Sequence, residues 1–460
     1  MYKFISSLCL LFLLLFFACK PKVEKLTTNF PTNPLIVSDD TLVYDTLITG
    51  EKVSITKRIK VFNKLDNAII INAIRLGSNS DAVYDIIVNG QKGPSVSNIE
   101  LLGKDSIYVL VSLNLTNGNA ANPYILSDSI LYEVGGHKSV TQLLAWGQDA
   151  QYLYNDTIKT ATTFTNSKAY VVVGNLFVDS LACLTINAGT KLFFANNAQM
   201  IVKGCLTVNG NFSNQCSFEP VRKDGKYENQ AGMWAGIQFL GKNVACNLSW
   251  VTIKNADFGL DFSNAKPVSK VNVLNCRFFN FTDRAIAIKD GDFVFANCLA
   301  YKSINELLYF NGNGNVSVYN SSFCNNSTGF SRQNPSVNFS DSLTTNFNVV
   351  FNNNIVAGEL AEEFKLNLKT GTSVYKVNNN MLKGKTTNKY LNNLFYSNST
   401  EFTFKNVEKY NFAVDTVTTT PLLISPTINY GIAIPGITDK QDLNGKFRDG
   451  QPDLGPFEKF

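Results

Sequence analysis

Val271-Asn-Val273-Leu-Asn275-Cys276-Arg-Phe278 is an alternating apolar run that meets an asparagine and then resumes. The same unit returns as Phe293-Val-Phe295-Ala-Asn297-Cys298 and as Val316-Ser-Val318-Tyr-Asn320-Ser321-Ser-Phe323. It returns again as Val349-Val-Phe351-Asn-Asn353-Asn354-Ile-Val356 and as Tyr375-Lys-Val377-Asn-Asn379-Asn380-Met-Leu382. Cys246-Asn-Leu248-Ser-Trp250-Val251-Thr-Ile253 fits the frame with Trp250 in the asparagine place. From Trp250 onward the intervals are 25, 22, 23, 33 and 26 residues. A second apolar unit follows at Gly259–Phe262, Ala285–Ile288, Leu307–Phe310 and Gly329–Phe330, at offsets of 9, 10, 10 and 9 residues.

Two strands at constant separation, recurring every two dozen residues, predict a parallel β-helix. Each coil would be one rung, pairing with the next at ~4.8 Å. One coil cannot bury its apolar side alone, so several must stack. The 33-residue interval predicts a coil with an inserted loop around 331–346. Asparagine at matching places suits a coil corner, because it tolerates left-handed backbone and its amide can bond to the same amide one rung away. Cys276 and Cys298 are expected in one inward column as small buried hydrophobes.

Residues 35–150 read differently. Short strands at Thr41–Ile48, Val53–Phe62, Ala68–Leu76, Tyr84–Val88, Ile99–Leu115, Tyr124–Val134 and Val140–Trp146 are separated by turn signals such as Asn89-Gly90 and Gly135-Gly136. Seven strands over roughly a hundred residues predict an immunoglobulin-like β-sandwich. It lacks the Cys-Trp-Cys pattern of antibody domains, and a spacer role is expected of it.

The first residues read as a targeting segment. Met1-Tyr2-Lys3 is followed by an apolar run to Ala18, too short for a transmembrane helix of ~20 residues. Phe16-Phe17-Ala18-Cys19 resembles a bacterial lipobox, which implies lipid attachment at Cys19. Lys20 in place of aspartate implies, by the same resemblance, the outer membrane. Residues 1–18 are thus a signal peptide, 19–34 a tether, 35–150 the sandwich and 151–460 a right-handed parallel β-helix with a C-terminal cap.

Further along, "LTINAGTKLFF" (184–194), "IVKGCLTVNG" (201–210), "MWAGIQF" (233–239) and "DLNGKFRDGQPDLGPFE" (442–458) resemble exported right-handed β-helix repeat lipoproteins of the Bacteroidota. "LLAWGQDA" (143–150) is similar to that family's junction between sandwich and helix. The resemblance implies a pectate-lyase-like fold and carries over no active site. Asp442, Arg448, Asp453 and Glu458 match its C-terminal motif, read as a turn and ion-pair network closing the last coil.

A net charge of +5 on 460 residues is too weak to suggest a nucleic-acid partner. Seven cysteines follow Cys19, an odd number, with no C-x-x-C and a single histidine, His137, on an expected turn; a zinc site is not implied. No nucleotide, haem or flavin motif is present, and no cofactor is expected. The fold hosts polysaccharide lyases and hydrolases, but fold does not set function. A lyase needs a proton-abstracting base and a cation or arginine against the developing charge. Asp257, Asp261, Arg277 and Arg284, with Lys289, Asp290 and Asp292, are the candidates, and a solvated, self-paired surface is the preferred reading of them. Trp234, Tyr227, Tyr301 and Tyr309 are candidates to stack on sugar rings; the competing reading puts Trp234 in the core and the tyrosines over a coil edge.

The leading functional expectation is a non-catalytic envelope protein that binds a glycan or a surface partner. A polysaccharide lyase and a structural or adhesive surface protein are the alternatives.

Overall fold

The computed structural model describes residues 25–49, 56–78, 82–113, 115, 124–222, 227–265, 268–326, 331–341, 347–368, 373–385, 390, 392–396, 404–406, 411–414, 429–437 and 441–458. The chain divides into two compact units at Asp149/Ala150. Both are built of strands.

The first unit is a sandwich of two five-stranded sheets. One contains Leu35–Val37, Lys57–Asn63, Ser106–Leu113, Tyr84–Val88 and Gln91–Lys92, all paired antiparallel. The other contains Thr41–Ile48, His137–Gln148, Tyr124–Val134, Ile69–Leu76 and Ser95–Leu101. Alternate residues such as Ile59, Val61, Ile71, Ile74, Ile86, Val109 and Val111 point inward and are fully buried. Each such side chain contributes about 1.5–3 kcal/mol.

The expected single strand Ile99–Leu115 is in fact two strands, in different sheets. The break comes at Gly103-Lys104, where Lys104 has φ of 57° and a Cβ on Gly103 would lie 2.1 Å from the Asp66 carbonyl oxygen. Only glycine permits that approach. The two dipeptide turns form as expected, with positive φ at Asn89, Gly90, Gly135 and Gly136. His137 opens its strand beside the second turn, its Nε2 3.0 Å from the Phe30 carbonyl oxygen.

The second unit is a right-handed parallel β-helix with three sheets of 11, 9 and 9 strands. Each full coil therefore has three strands, one more than the repeat predicts. The quoted unit is two of them: Val268–Leu274 lies in the third sheet and Arg277–Phe281 in the first, with Asn275 at the corner between. The second apolar unit is the strand of the second sheet, as in Leu260–Asp261, Ile286–Ile288 and Leu308–Asn311. Gly329–Phe330 lies outside the described residues.

Register is kept from coil to coil. In the third sheet one inward column runs Leu184, Leu206, Cys246, Val271, Phe293, Val316, Val349 and Tyr375. Aromatic rings stack along the core: Phe194 on Trp234 and Phe239 on Phe262, each at 4.0 Å and 12°. At the corner, φ is positive at Trp250 (53°), Asn275 (56°), Asn297 (53°), Asn320 (44°), Asn353 (62°) and Asn379 (53°). Left-handed backbone costs an ordinary residue about 1–2 kcal/mol, and asparagine visits it most readily among residues with a side chain. Trp250, the exception, lies edge-on to Phe212 at 5.5 Å.

One residue further on, Cys276, Cys298, Ser321, Asn354 and Asn380 are all buried. The polar members bond in sequence. Asn354 Oδ1 accepts from the Ser321 N–H at 2.9 Å, and Asn380 Oδ1 accepts from the Asn354 N–H at 2.8 Å. Asn393 Oδ1 accepts from the Asn380 N–H at 3.0 Å. In the coil with the long interval, Arg332 and Glu363 form a fully buried ion pair. Glu363 also accepts from the Ser336 and Leu360 N–H groups, both at 2.8 Å.

The C-terminal motif does form an ion-pair network, but it does not close the last coil. Arg448 and Glu458 pair at 2.9 Å, and Asp442 accepts from the Asn444, Lys446 and Glu458 N–H groups. This segment lies back over the asparagine corner. Asn379 donates to the Tyr430 carbonyl, Asn353 to Ile432, Asn320 to Asp453 and Asn275 to Gln441. Arg448 itself reaches Asn297 Oδ1 at 3.1 Å. Leu443 and Leu454 pack with Leu299, Tyr301, Ile355 and Met381 on the outside of the first sheet. The segment is a strap along several coils, and it covers the apolar outer face that the first sheet presents from Leu299 to Met381.

Cys183 and Cys205, in register on neighbouring coils, form a disulfide. Cys216, Cys246, Cys276, Cys298 and Cys324 are free and buried. Burial pushes the Cys246 and Cys324 thiols well up, which disfavours the thiolate at both. Thiol reagents at pH 8 should modify none of the seven cysteines from Cys183 to Cys324 in the native state. They should modify five after unfolding and seven after unfolding with reductant. Fast native labelling of any of the five would contradict the packing.

Candidate functional site

Of the four charged candidates, Arg277 stands away from the other three. Arg277 lies beneath the strap, donating to the Leu443 carbonyl at 2.7 Å and to Gln215 Oε1 at 3.0 Å. Burial pushes its pKa down. Asp257 is at the corner between the first and second sheets and accepts from Thr282 Oγ1 at 2.6 Å. Asp261, on the second sheet, accepts from the Ser263 N–H at 2.9 Å and from Gln238 Nε2 at 3.3 Å. Arg284 pairs with Glu306 at 2.8 Å and lies over the Tyr309 ring at 4.7 Å. Burial opposes its charge, but Glu306 and Asp283 outweigh that and hold Arg284 more firmly protonated. Asp290 and Asp292 accept from the Asn313 and Asn315 N–H groups on the next coil. Asp257, Asp261, Arg277, Arg284, Asp290 and Asp292 thus each bond to neighbours of their own.

The aromatic candidates also separate. Trp234 is 1% exposed, stacked on Phe194, with its indole N–H donated to the Lys254 carbonyl at 2.9 Å. It cannot present a face to a sugar. Tyr301 is 5% exposed, tilted against Phe279 at 4.5 Å within the cluster that the strap covers. Both are therefore corrected from candidate contacts to packing residues. Tyr227 carries the Arg222 guanidinium over its ring at 3.7 Å. Tyr309 is half-buried beneath Arg284 and accepts from Asn311 Nδ2 at 3.1 Å.

A cavity of about 350 Å³ lies elsewhere, at the last coils. Its size falls within the ~300–1,000 Å³ of small-ligand sites. Phe364, Leu366, Leu382, Tyr390 and Phe395 form its apolar lining, and Glu362, Lys365, Lys383 and Lys385 are its charged residues. The cavity exists because the coil turns short. Met381–Lys383 pairs directly with Leu394–Tyr396 in the first sheet, with only ten residues between them. Among the described residues, the second and third sheets end at Phe364–Asn367 and Val374–Asn378. Among the described residues, the inward-facing side chains of the last full coil therefore border a hollow where no further strand of these two sheets stacks.

Tyr390 stands in that hollow, edge-on to Phe364 at 5.6 Å and to Tyr375 at 6.1 Å. Burial, reinforced by Tyr375 and Glu362, pushes its hydroxyl up to about 12, so it is a neutral donor at any physiological pH. Lys383 is steadied by donating to the Gly358 carbonyl. Lys365 and Lys385 are exposed. The arrangement is three apolar rings beside three ammonium groups, able to bind a partly apolar, polar-rimmed ligand.

No signal in the repeat itself pointed to these residues. The interval does: Asn379 to Asn392 is 13 residues, half a coil, and the intervening "GKTTNK" (384–389) has no apolar pair where the second strand belongs.

No family model matches the sequence, and no curated protein matches it. Solved structures match in part. The chain is similar to the ASH/PapD-like domain of human CEP192 at 12% identity, over 29% of this chain and all of that one, with a TM-score of 0.19. It is similar to a family 123 glycoside hydrolase from Clostridium perfringens at 10% identity, over 27% of this chain and 26% of that one (TM-score 0.20). It is similar to the VesB protease of Vibrio cholerae at 13% identity, over 25% of this chain and 32% of that one (TM-score 0.17).

Replacing Trp234 by alanine should lower stability by about 3–5 kcal/mol, the loss for a large buried aromatic side chain. Chemical denaturation checks this. A loss below 1 kcal/mol would mean that the indole is not part of the core.

Proposed function

We propose that this chain is an outer-membrane lipoprotein of the cell envelope, held by lipid on Cys19, whose β-helix binds a glycan without cleaving it. The observation that carries the binding reading is the cleft beside Phe364, Tyr390 and Phe395. Sugar rings have apolar C–H faces that suit aromatic planes, and hydroxyls that suit a polar rim. The lyase alternative draws no support from Asp257, Asp261, Arg277 and Arg284: Arg277 is taken up beneath the strap, and the other three bond to neighbours of their own.

Export is supported by two independent features. The lipobox-like Phe16–Cys19 lies outside the described residues, as does 20–24; the rest of the segment expected to be a tether packs on the sandwich instead, with Leu26 bridged to Ala68 and Phe30 buried in its core. The Cys183–Cys205 disulfide, with Cys183 exposed, is a bond expected to persist in an oxidising compartment rather than in the cytosol. Among the described residues no helix is long and apolar enough to cross a membrane. Membership of the Bacteroidota β-helix lipoproteins belongs to this proposal and rests on the motifs quoted above.

Two outcomes test the parts separately. Labelling cells with radioactive palmitate should mark the wild-type protein and leave Cys19→Ser unmarked; label on the variant would remove the anchor. Affinity electrophoresis of the mature protein in non-ionic detergent, through gels containing single polysaccharides, should show retardation by at least one of them. Tyr390→Ala should relieve that retardation at least tenfold in apparent affinity. Unchanged mobility in every gel would end the glycan reading.

A further inference from the structure

We infer that the cleft at the last coils takes an anionic saccharide, whose acid group is held by Lys365, Lys383 and Lys385. This rests on the glycan-binding reading and adds the charge class of the ligand.

The whole chain is nearly balanced in charge, with 41 basic and 36 acidic residues. The cleft is not balanced: its lining has three lysines against Glu362 alone. The neighbouring Glu363 does not offset them. Its carboxylate is fully buried and is engaged by Arg332, by Ser336 and by the Leu360 N–H. The lysines therefore keep an uncompensated positive charge beside an apolar floor.

The pattern along the coils points the same way. The outward column of the second sheet runs Gln238, Asp261, Ala287, Tyr309, Asn338 and Lys365. It turns cationic only at the coil that borders the cleft. Lys383, steadied by one bond to the Gly358 carbonyl, keeps two further N–H donors for a ligand. Tyr390, held neutral, adds an O–H donor and never a competing anion.

A neutral sugar would use the rings of Phe364, Tyr390 and Phe395 but leave the ammonium groups to solvent. A sugar bearing a carboxylate or sulfate ester uses both at once, since a charge-assisted bond is about twice as strong as a neutral one. Lys365 and Lys385 are exposed, so their contribution must weaken as salt shortens the ~10 Å screening length at 0.1 M.

The experiment is affinity electrophoresis of the mature protein in detergent, with matched polymers. Polygalacturonate is set against its carboxyl-reduced form, and dextran sulfate against dextran. We expect at least tenfold stronger retardation by the anionic member of one pair or both. The pair that responds tells a carboxylate ligand from a sulfate one. The Lys365→Ala/Lys385→Ala variant should lose at least tenfold, and the double arginine variant should retain most of the binding. Lys159→Ala/Lys168→Ala, two exposed lysines on the early coils, should change nothing. Equal retardation by charged and uncharged members would overturn the charge inference and leave glycan binding standing. Anion-dependent retardation that ignores Lys365 and Lys385, or follows Lys159 and Lys168, would overturn the site. No retardation by any polymer would remove both readings together.

Discussion

Parallel stacking at ~4.8 Å is the constraint from which the rest of this β-helix follows. A strand in a parallel sheet bonds to the coil before and the coil after, so every inward side chain sits directly above its counterpart. A misfit in one coil becomes a misfit in two. The columns respond by keeping one chemistry over many rungs: aliphatic and aromatic in Leu184 through Val349, asparagine at the corner from Asn275 to Asn379. Asparagine serves the corner twice. Its backbone accepts positive φ at low cost, and its side chain satisfies a neighbour that water cannot reach.

The corner also explains the strap. A row of amides along one edge has bonding capacity left over, and the outer face of the first sheet is apolar. The segment 429–458 answers both, taking the amides with its carbonyls and covering Leu299, Tyr301, Ile355 and Met381 with Leu443 and Leu454. Arg448 and Glu458 lock the segment on itself. Burial pushes the arginine down and the glutamate up to about 7, so neither would be tolerated there without the other. The same stacking rule produces the cleft. Where a coil is cut short, the columns lose their next rung, and Phe364 and Leu366 are left beside open space.

The candidate residues illustrate how far local pattern reaches. Trp234 and Tyr301 are aromatic candidates for sugar stacking in the sequence, yet one is stacked in the core and the other lies under the strap. Arg277 was grouped with Arg284 because both sit near coil corners. They belong to opposite edges of the first sheet, one facing the strap and the other facing Glu306. Periodicity told which residues repeat but not which side of the coil a corner opens to.

The repeat of alternating strands, the asparagine place and the inward Cys276–Cys298 column were legible in the sequence, because they are consequences of period-two alternation and of one residue's tolerance for left-handed backbone. The break between a sandwich and a stacked array was legible for the same reason. The third strand of each coil was not, because the corner between Leu274 and Arg277 is only Asn275-Cys276, too short to separate the two strands in an apolar pattern that runs on through it. Nor were the strap, the Cys183–Cys205 pairing or the cleft. These depend on contacts between residues up to 166 positions apart, such as Asn275 with Gln441, and only the folded chain brings such groups within hydrogen-bond reach.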